Sequence, residues 1–199
     1  RKFNDTFKKG GRFYCGIESN LSKHLRPYIY INNSPTVELD YSGMHVRMLY
    51  HIKQRQNRKD VYNVEPQNPQ LRDIYKDVAL ISINSKINKA VKAIRLCLAN
   101  KPTKKLLPNL NDATINGLIS NFKNAHSPIK DKLFSGIGIT LQNLDSMIAN
   151  DILKHFTKKK VLCLCIHDSF IVPKGHRAEL DRIMKRSYKK VMRYFPVIK

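Results

Sequence analysis

Two aspartates stand where apolar stretches of this chain break off. Asp40 closes "TVELD" (36–40), and Asp168 interrupts "VLCLCIHDSFIV" (161–172) between two apolar runs. A buried, unpaired carboxylate is costly, so each is expected at a strand end. If the hairpin around Asp168 packs beside the strand that ends at Asp40, both acids reach one end of one sheet. Two carboxylates converging in a basic protein repel unless a cation bridges them. Mg²⁺ takes oxygen ligands, usually one or two carboxylates together with substrate phosphates. Two such ions roughly 4 Å apart clamp an in-line phosphoryl displacement. The same residues also admit plainer roles: Asp40 as a helix N-cap and Asp168 as a turn former.

The elements that must position these acids follow from pattern. "NNSP" (32–35) is a turn that delivers a strand over 36–41, and a helix is expected over 42–55. A short helix is expected near 21–28, ahead of them. After the loop "VEPQNPQ" (64–70), Leu71, Ile74, Val78 and Ile81 lie on one helical stripe. Two helices are expected there, meeting near 84–86, and a polar helix follows over 112–124. "GIGITLQNLDSMIANDILKHF" (136–156) carries Leu141, Leu144, Ile148 and Ile152 on one face. Strands over 161–166 and 170–172 flank the His167-Asp168-Ser169 break as a hairpin, and a last helix spans 177–194. A few strands, several helices and an α-rich insert make the fold class α+β.

The charge points to the partner. The 199 residues hold 37 Lys and Arg against 15 Asp and Glu, a net +22 at pI about 10. A polyanion relieves that self-repulsion, and nucleic acid is the usual one. No apolar run approaches the ~20 residues of a membrane span, and no signal-peptide pattern opens the chain. At 42% hydrophobic the chain can bury a core. Beginning at Arg1 without an initiator Met, it is expected to be a fragment or a processed product. Cys15, Cys97, Cys163 and Cys165 are not a disulfide framework at this length. Cys163 and Cys165 share a strand face as small apolar residues, so a reducing intracellular compartment is expected: cytoplasm, nucleoid or virus-infected cell.

Other side chains also bear on chemistry. Arg182, Lys185, Arg186, Lys189, Lys190 and Arg193 form a continuous basic face on the last helix. Like charges at i,i+4 spacing repel, and a phosphate backbone would relieve them. "KPTKK" (101–105) and "KKK" (158–160) are expected to be loop solubility charges. His24, His51, His126, His155 and His176 show no zinc spacing with the cysteines and are expected at the surface or in packing. Tyr28, Tyr30 and Tyr41 are expected in the core, with base stacking as the alternative.

Beyond this, "DYSGMHVRMLYH" (40–51) resembles motif A of the family A DNA polymerases, the bacterial polymerase I type. "CIHDSFIVP" (165–173) resembles their motif C, and its "HDSF" is nearest the phage-type single-subunit RNA polymerases. "LQNLDSMIANDIL" (141–153) is similar to the helix before motif C in both groups. "GGRFY" (10–14) resembles the segment upstream of motif A, and "RDIYKDVALISINS" (72–85) fits the motif B frame up to its last two residues. Arg72, Lys76, Leu80 and Asn84 recur every four residues and share a helix face.

The resemblance implies a palm-like antiparallel sheet packed on helices. Residues 1–64 would be its first part, 65–135 a reduced helical fingers-like insert, and 136–199 the second part. It implies Asp40 and Asp168 as catalytic ligands of Mg (or Mn), with the Tyr41 carbonyl as a third ligand. Arg72 and Lys76 would hold a nucleoside triphosphate, with His45 and Asn84 alongside. Arg12 and Gln142 would touch the primer–template, His167 the primer end, and Arg47 would support the site from the motif A helix. With the basic face from Arg182 to Lys189, these would form the nucleic-acid surface. Asp145, one turn from Gln142, is expected in a structural hydrogen bond, with a third metal ligand as the alternative.

This sequence also departs from the family pattern. His45 replaces the motif A Glu that helps exclude a ribose 2′-hydroxyl, Asn84-Ser85 replaces the Tyr-Gly of motif B, and Ser169 replaces the acid after His-Asp. The sugar is therefore not specified, and loose base-pair checking is expected. A thumb would come from an upstream domain or a partner protein. The implied activity is nucleotidyl transfer to a 3′-hydroxyl, directed by a template. The alternatives are a non-catalytic nucleic-acid-binding module that keeps a degenerate palm, and a template-independent or primase-like transferase.

Overall fold

The structure, a computed structural model, describes the chain except for Asp5, residues 14–20 and Pro108, together with the side chains of Thr103 and Lys104. Cys15 and the last residue of "GGRFY", Tyr14, lie outside the described residues. The fold is α+β. The chain divides into two compact units, one formed by residues 1–44 with 140–199 and the other by residues 45–139.

The first unit holds all the described strands. Strands β1 (Lys2–Asn4) and β2 (Thr6–Arg12) form an antiparallel ribbon. Its register shifts between Lys2, opposite Arg12, and Phe3, opposite Gly10. Gly11 is the extra residue of that bulge, at φ 94°, and a Cβ there would stand 2.6 Å from the Phe3 ring. Only glycine meets both conditions. Helix α5 (Gly138–Lys158) grips the ribbon: Asn143 Nδ2 donates to the carbonyls of Phe7 (3.0 Å) and Gly10 (3.1 Å).

Strands β3 (Tyr30–Ile31), β4 (Ser34–Asp40), β5 (Leu164–Ile166) and β6 (Ser169–Pro173) form an antiparallel sheet in the order β3-β4-β6-β5. Central β6 is buried from Ser169 to Val172, so both of its faces read as apolar in one continuous run. Helix α6 (Arg177–Met192) packs Leu180, Ile183, Met184 and Tyr188 inward at helical spacing. Tyr41, just past β4, packs edge-on against Phe170 at 6.3 Å and lies 5.4 Å from the Tyr188 ring. Its hydroxyl donates to the Met184 carbonyl at 2.7 Å. Burial of an aromatic ring of this size contributes about 2 kcal/mol. Tyr41 thus anchors the end of the strand that carries Asp40.

The second unit is helical. Helices α1 (Met44–Ile52), α2 (Arg72–Asn84), α3 (Ile87–Ala99) and α4 (Asp112–Ala125) bury Leu49, Ile74, Val78, Ile94, Leu98, Ile115 and Phe122. Asn111 caps α4 by accepting from the Thr114 N–H at 2.9 Å. Buried His126 links Tyr50 Oη and the Val61 carbonyl, each at 2.9 Å.

Several boundaries differ from expectation for local reasons. Gly43 takes φ 56°, so α1 starts at Met44 and not near residue 42, and Gly136 at φ 77° delays α5 to Gly138. Lys160 turns left-handed at φ 56° beyond α5, and the Val161 N–H caps back to the Phe156 carbonyl at 3.0 Å. Residues 161–163 therefore leave the helix, and β5 is half the length expected. Arg193 at φ 66° ends α6 short of residue 194. The helix expected over 21–28 is only a 3-10 turn, Arg26–Tyr28, with Pro27 inside it. Among the described residues, no helix is long and apolar enough to cross a membrane.

Candidate active site

Asp40 is the last residue of β4 and pairs in register with Ser169, the first residue of β6. The β5–β6 connection is the two-residue turn His167-Asp168. His167 holds φ 57°, which a non-glycine residue adopts mainly in tight turns and at functional sites. The Tyr41 N–H donates to the Asp168 carbonyl at 3.1 Å, stitching this turn to the end of β4. On the other edge, Asp40 and Lys199 exchange backbone hydrogen bonds of 3.1 and 2.9 Å. Asp40 and Asp168 consequently line one cavity of about 370 Å³ at this end of the sheet.

Lys23, Arg26 and Lys199 bring positive charge to the same cavity, and Glu38 brings a third carboxylate. Glu38 lies two residues before Asp40, on the same strand face. Its Oε1 accepts from Arg26 Nη1 at 2.9 Å and from Ser169 Oγ at 2.5 Å. Glu38 was not among the residues singled out from sequence. The i, i+2 pair of acids in "ELD" was the available signal.

His167 is exposed at the turn, yet its imidazole pKa is lowered. Partial burial of the ring disfavours the charged form most, Arg12 adds repulsion, and Asp168 and Asp145 oppose them. Arg12, at the end of β2, gives both Nε (2.9 Å) and Nη2 (2.6 Å) to Asp145 Oδ2 of α5. That carboxylate is only 4% exposed. The structural bond expected for Asp145 thus has an arginine donor that helix spacing alone does not reveal. Among the described residues, no group of three or more His, Cys, Asp and Glu is arranged to hold a metal ion. The Asp145 Oδ2 atom already accepts both Arg12 donors. Asp40 and Asp168 bring carboxylate oxygens to the shared cavity, the donor type that Mg²⁺ takes together with phosphate and water.

Other candidates fall elsewhere. Gln142 is half-buried on α5. Arg47 is corrected outright: it is 3% exposed and donates to the carbonyls of Asn57 and, at 2.9 Å, Lys59. It braces the loop after α1, a structural support in place of the surface contact expected. Arg72 on α2 pairs with Asp60 at 2.6 Å. Lys76 and Leu80 are exposed on the same helix, and exposed Asn84 donates to the Leu80 carbonyl at 2.8 Å. The i+4 face is present, and His45 is half-buried on α1.

The basic face of α6 is real but partly neutralised, contrary to the expectation of unrelieved repulsion. Lys185 meets Asp181 at 2.6 Å, Lys190 and Arg186 meet Asp151 at 3.0 and 3.8 Å, and Arg182 lies 4.0 Å from Glu179. Lys189 sits 4.4 Å over the Phe195 ring. His155 and His176 both bond Glu179, at 2.8 and 3.1 Å, so they are packing residues as expected. Tyr41 is core, but Tyr28 and Tyr30 are 75% and 66% exposed, which corrects the expectation of burial.

No family model matches the chain, and no curated protein matches it.

Proposed function

We propose that the protein is a nucleotidyltransferase, a template-directed nucleic-acid polymerase of family A type with a reduced fingers-like insert. The observation that carries the reading is the meeting of Asp40 and Asp168 at one cavity at the end of the sheet. In support, Lys23, Arg26 and Lys199 line the same cavity, and the net charge is +22. Lone carboxylates shaping turns do not call for such an arrangement.

In this reading Asp40 and Asp168 hold Mg²⁺ or Mn²⁺. When bound, the divalent cation supplies the charge that neutralises phosphate oxygens and polarises the attacking hydroxyl. The chain's own residues do the rest. Arg26, held by Glu38 through Nη1 and by the Leu21 carbonyl through Nε, would bring a fixed positive charge to a phosphate, and Lys23 would add a point charge on the same cavity. His167, with its pKa held down by burial and by Arg12, is neutral near pH 7 and offers the 3′-terminus an uncharged hydrogen-bonding ring. The 3′-hydroxyl would give up its proton to water, its oxygen would bond to the α-phosphorus as the bond to the β-phosphate oxygen breaks, and pyrophosphate would leave.

Primer extension with wild type, Asp40→Ala and Asp168→Ala tests the assignment, alongside thermal shift with Mg²⁺ or Mn²⁺. Loss of extension and of the metal-dependent shift in both variants is expected. Extension that survives both changes removes the two acids from catalysis. Wild type that binds nucleic acid but shows neither extension nor a metal-dependent shift is a binding module.

A further inference from the structure

Tyr28 and Tyr30 are large rings left in solvent on a rigid support. Tyr28 ends the 3-10 turn, with its N–H bonded to the Leu25 carbonyl at 3.1 Å, and Tyr30 opens the edge strand β3. Asn32 and Asn33, at φ 50° and 59°, turn β3 into β4 with two successive left-handed residues. That is the turn geometry that suits the twist of a hairpin. Thr36 Oγ1 donates to the Ile29 carbonyl at 2.8 Å, and Ile31 is 4% exposed in the core. The tyrosines are therefore held out by the fold and do not hang from a loose loop.

The surroundings favour one occupant. The segment "LSKHLRPYIYI" (21–31) has no acid, and its Lys23 and Arg26 line the cavity of Asp40 and Asp168. Exposed rings interleaved with cations bind unpaired bases: the phosphates meet the cations and each base stacks on a ring. A duplex keeps its base faces covered and has nothing to place there.

We infer that Tyr28 and Tyr30, with Lys23, form a platform for single-stranded nucleic acid on the segment whose Lys23 and Arg26 line the carboxylate cavity. The inference rests on the nucleotidyl-transfer reading for the site that the strand serves. Its test does not depend on that reading, because binding is measured with no divalent metal and no nucleotide.

The probe is a fluorescein-labelled oligothymidylate of about twelve nucleotides. Its anisotropy is followed in EDTA with wild type, Tyr28→Ala, Tyr30→Ala, the double variant and the two Tyr→Phe variants. Each alanine is expected to weaken binding about tenfold and each phenylalanine to retain wild-type affinity, since the ring does the stacking. The salt dependence of binding should keep its slope in the alanine variants, whereas Lys23→Gln should lower it by roughly 0.7. A duplex of the same length should lose nothing on either Tyr→Ala change. Equal affinity of the double alanine variant and wild type overturns the platform. So does phenylalanine behaving like alanine, or an equal loss with duplex. Both rings are exposed, so melting temperatures should match wild type. Failure of extension in the Asp40→Ala assay leaves this outcome untouched, and the reverse also holds.

Discussion

Arg12→Met is the most exacting test of the architecture around the carboxylate cavity. Arg12 gives two donors to Asp145 Oδ2, and the side chains are 19% and 4% exposed. Removing one partner of a buried ion pair costs 3–5 kcal/mol, because the surviving charge stays buried. Arg12 is partly wetted, so the lower end applies, about 3 kcal/mol. For a chain of this length each kcal/mol moves the melting temperature about 2–4 °C, so a drop of about 6–12 °C is expected. Thermal and urea unfolding measure it. Pairing Arg12→Met with Asp145→Leu should recover most of the loss, because an apolar pair of similar volume needs no counter-charge. A second readout follows from charge alone. Burial and then Arg12 hold the His167 pKa down, so Arg12→Met should raise it, as NMR titration of the ring would show. A loss under about 1 kcal/mol, or a double variant no more stable than Arg12→Met, refutes the buried-pair reasoning.

Two further outcomes concern the helical unit. Arg47→Ala should cost about 2 kcal/mol in urea unfolding, because the carbonyls of Asn57 and Lys59 lose their donor; a change within experimental error would return Arg47 to the surface. Burial, reinforced by Arg47, lowers the pKa of His51 from 6.5 to about 4. The folded state thus binds its proton less readily than the unfolded chain, and the neutral-ring contribution is whole above pH 6.5 and lost as pH falls towards 4. His51→Gln should flatten that acid limb by about 1–3 kcal/mol, and an unchanged limb would place the titrating group elsewhere.

Which features were legible in the sequence follows from their physical range. Helices α2 to α6 announce themselves by periodicity over three or more turns, and the break between α2 and α3 fell where expected. The Asp40–Asp168 meeting was readable because each acid interrupts an apolar run, and antiparallel pairing fixes which ends meet. Arg12 with Asp145 was not readable, since it depends on how a bulged ribbon lies on α5. Arg47 shows the limit of motif reasoning. Its helix position was as expected, but the loop that claims its guanidinium follows residues later and carries no signal of its own. Tyr28 and Tyr30 were expected in the core because aromatic residues usually are, but strand alternation turns Ile31 of β3 inward and Tyr30 outward, and Tyr28 ends an exposed 3-10 turn.

The exchange at Ser169 carries the site's electrostatics furthest. A serine stands where the resembled motif has a second acid, and its hydroxyl donates to Glu38 on the neighbouring strand. Glu38 in turn accepts from Arg26 at 2.9 Å. The cavity consequently carries the side chains of three acids and three bases, with His167 neutral between them, inside a chain of net +22. The long-range field draws a polyanion to every face, whereas the floor of this cavity repels bare phosphate at Asp40 and Asp168. On the proposed function, a phosphate would be drawn to its Lys23–Arg26 side by charge alone, but would reach the two aspartates only when they carried a cation. On the proposed nucleotidyl-transfer function, binding and reaction should therefore separate by metal: nucleic acid should bind in EDTA, and a divalent ion should matter only through Asp40 and Asp168.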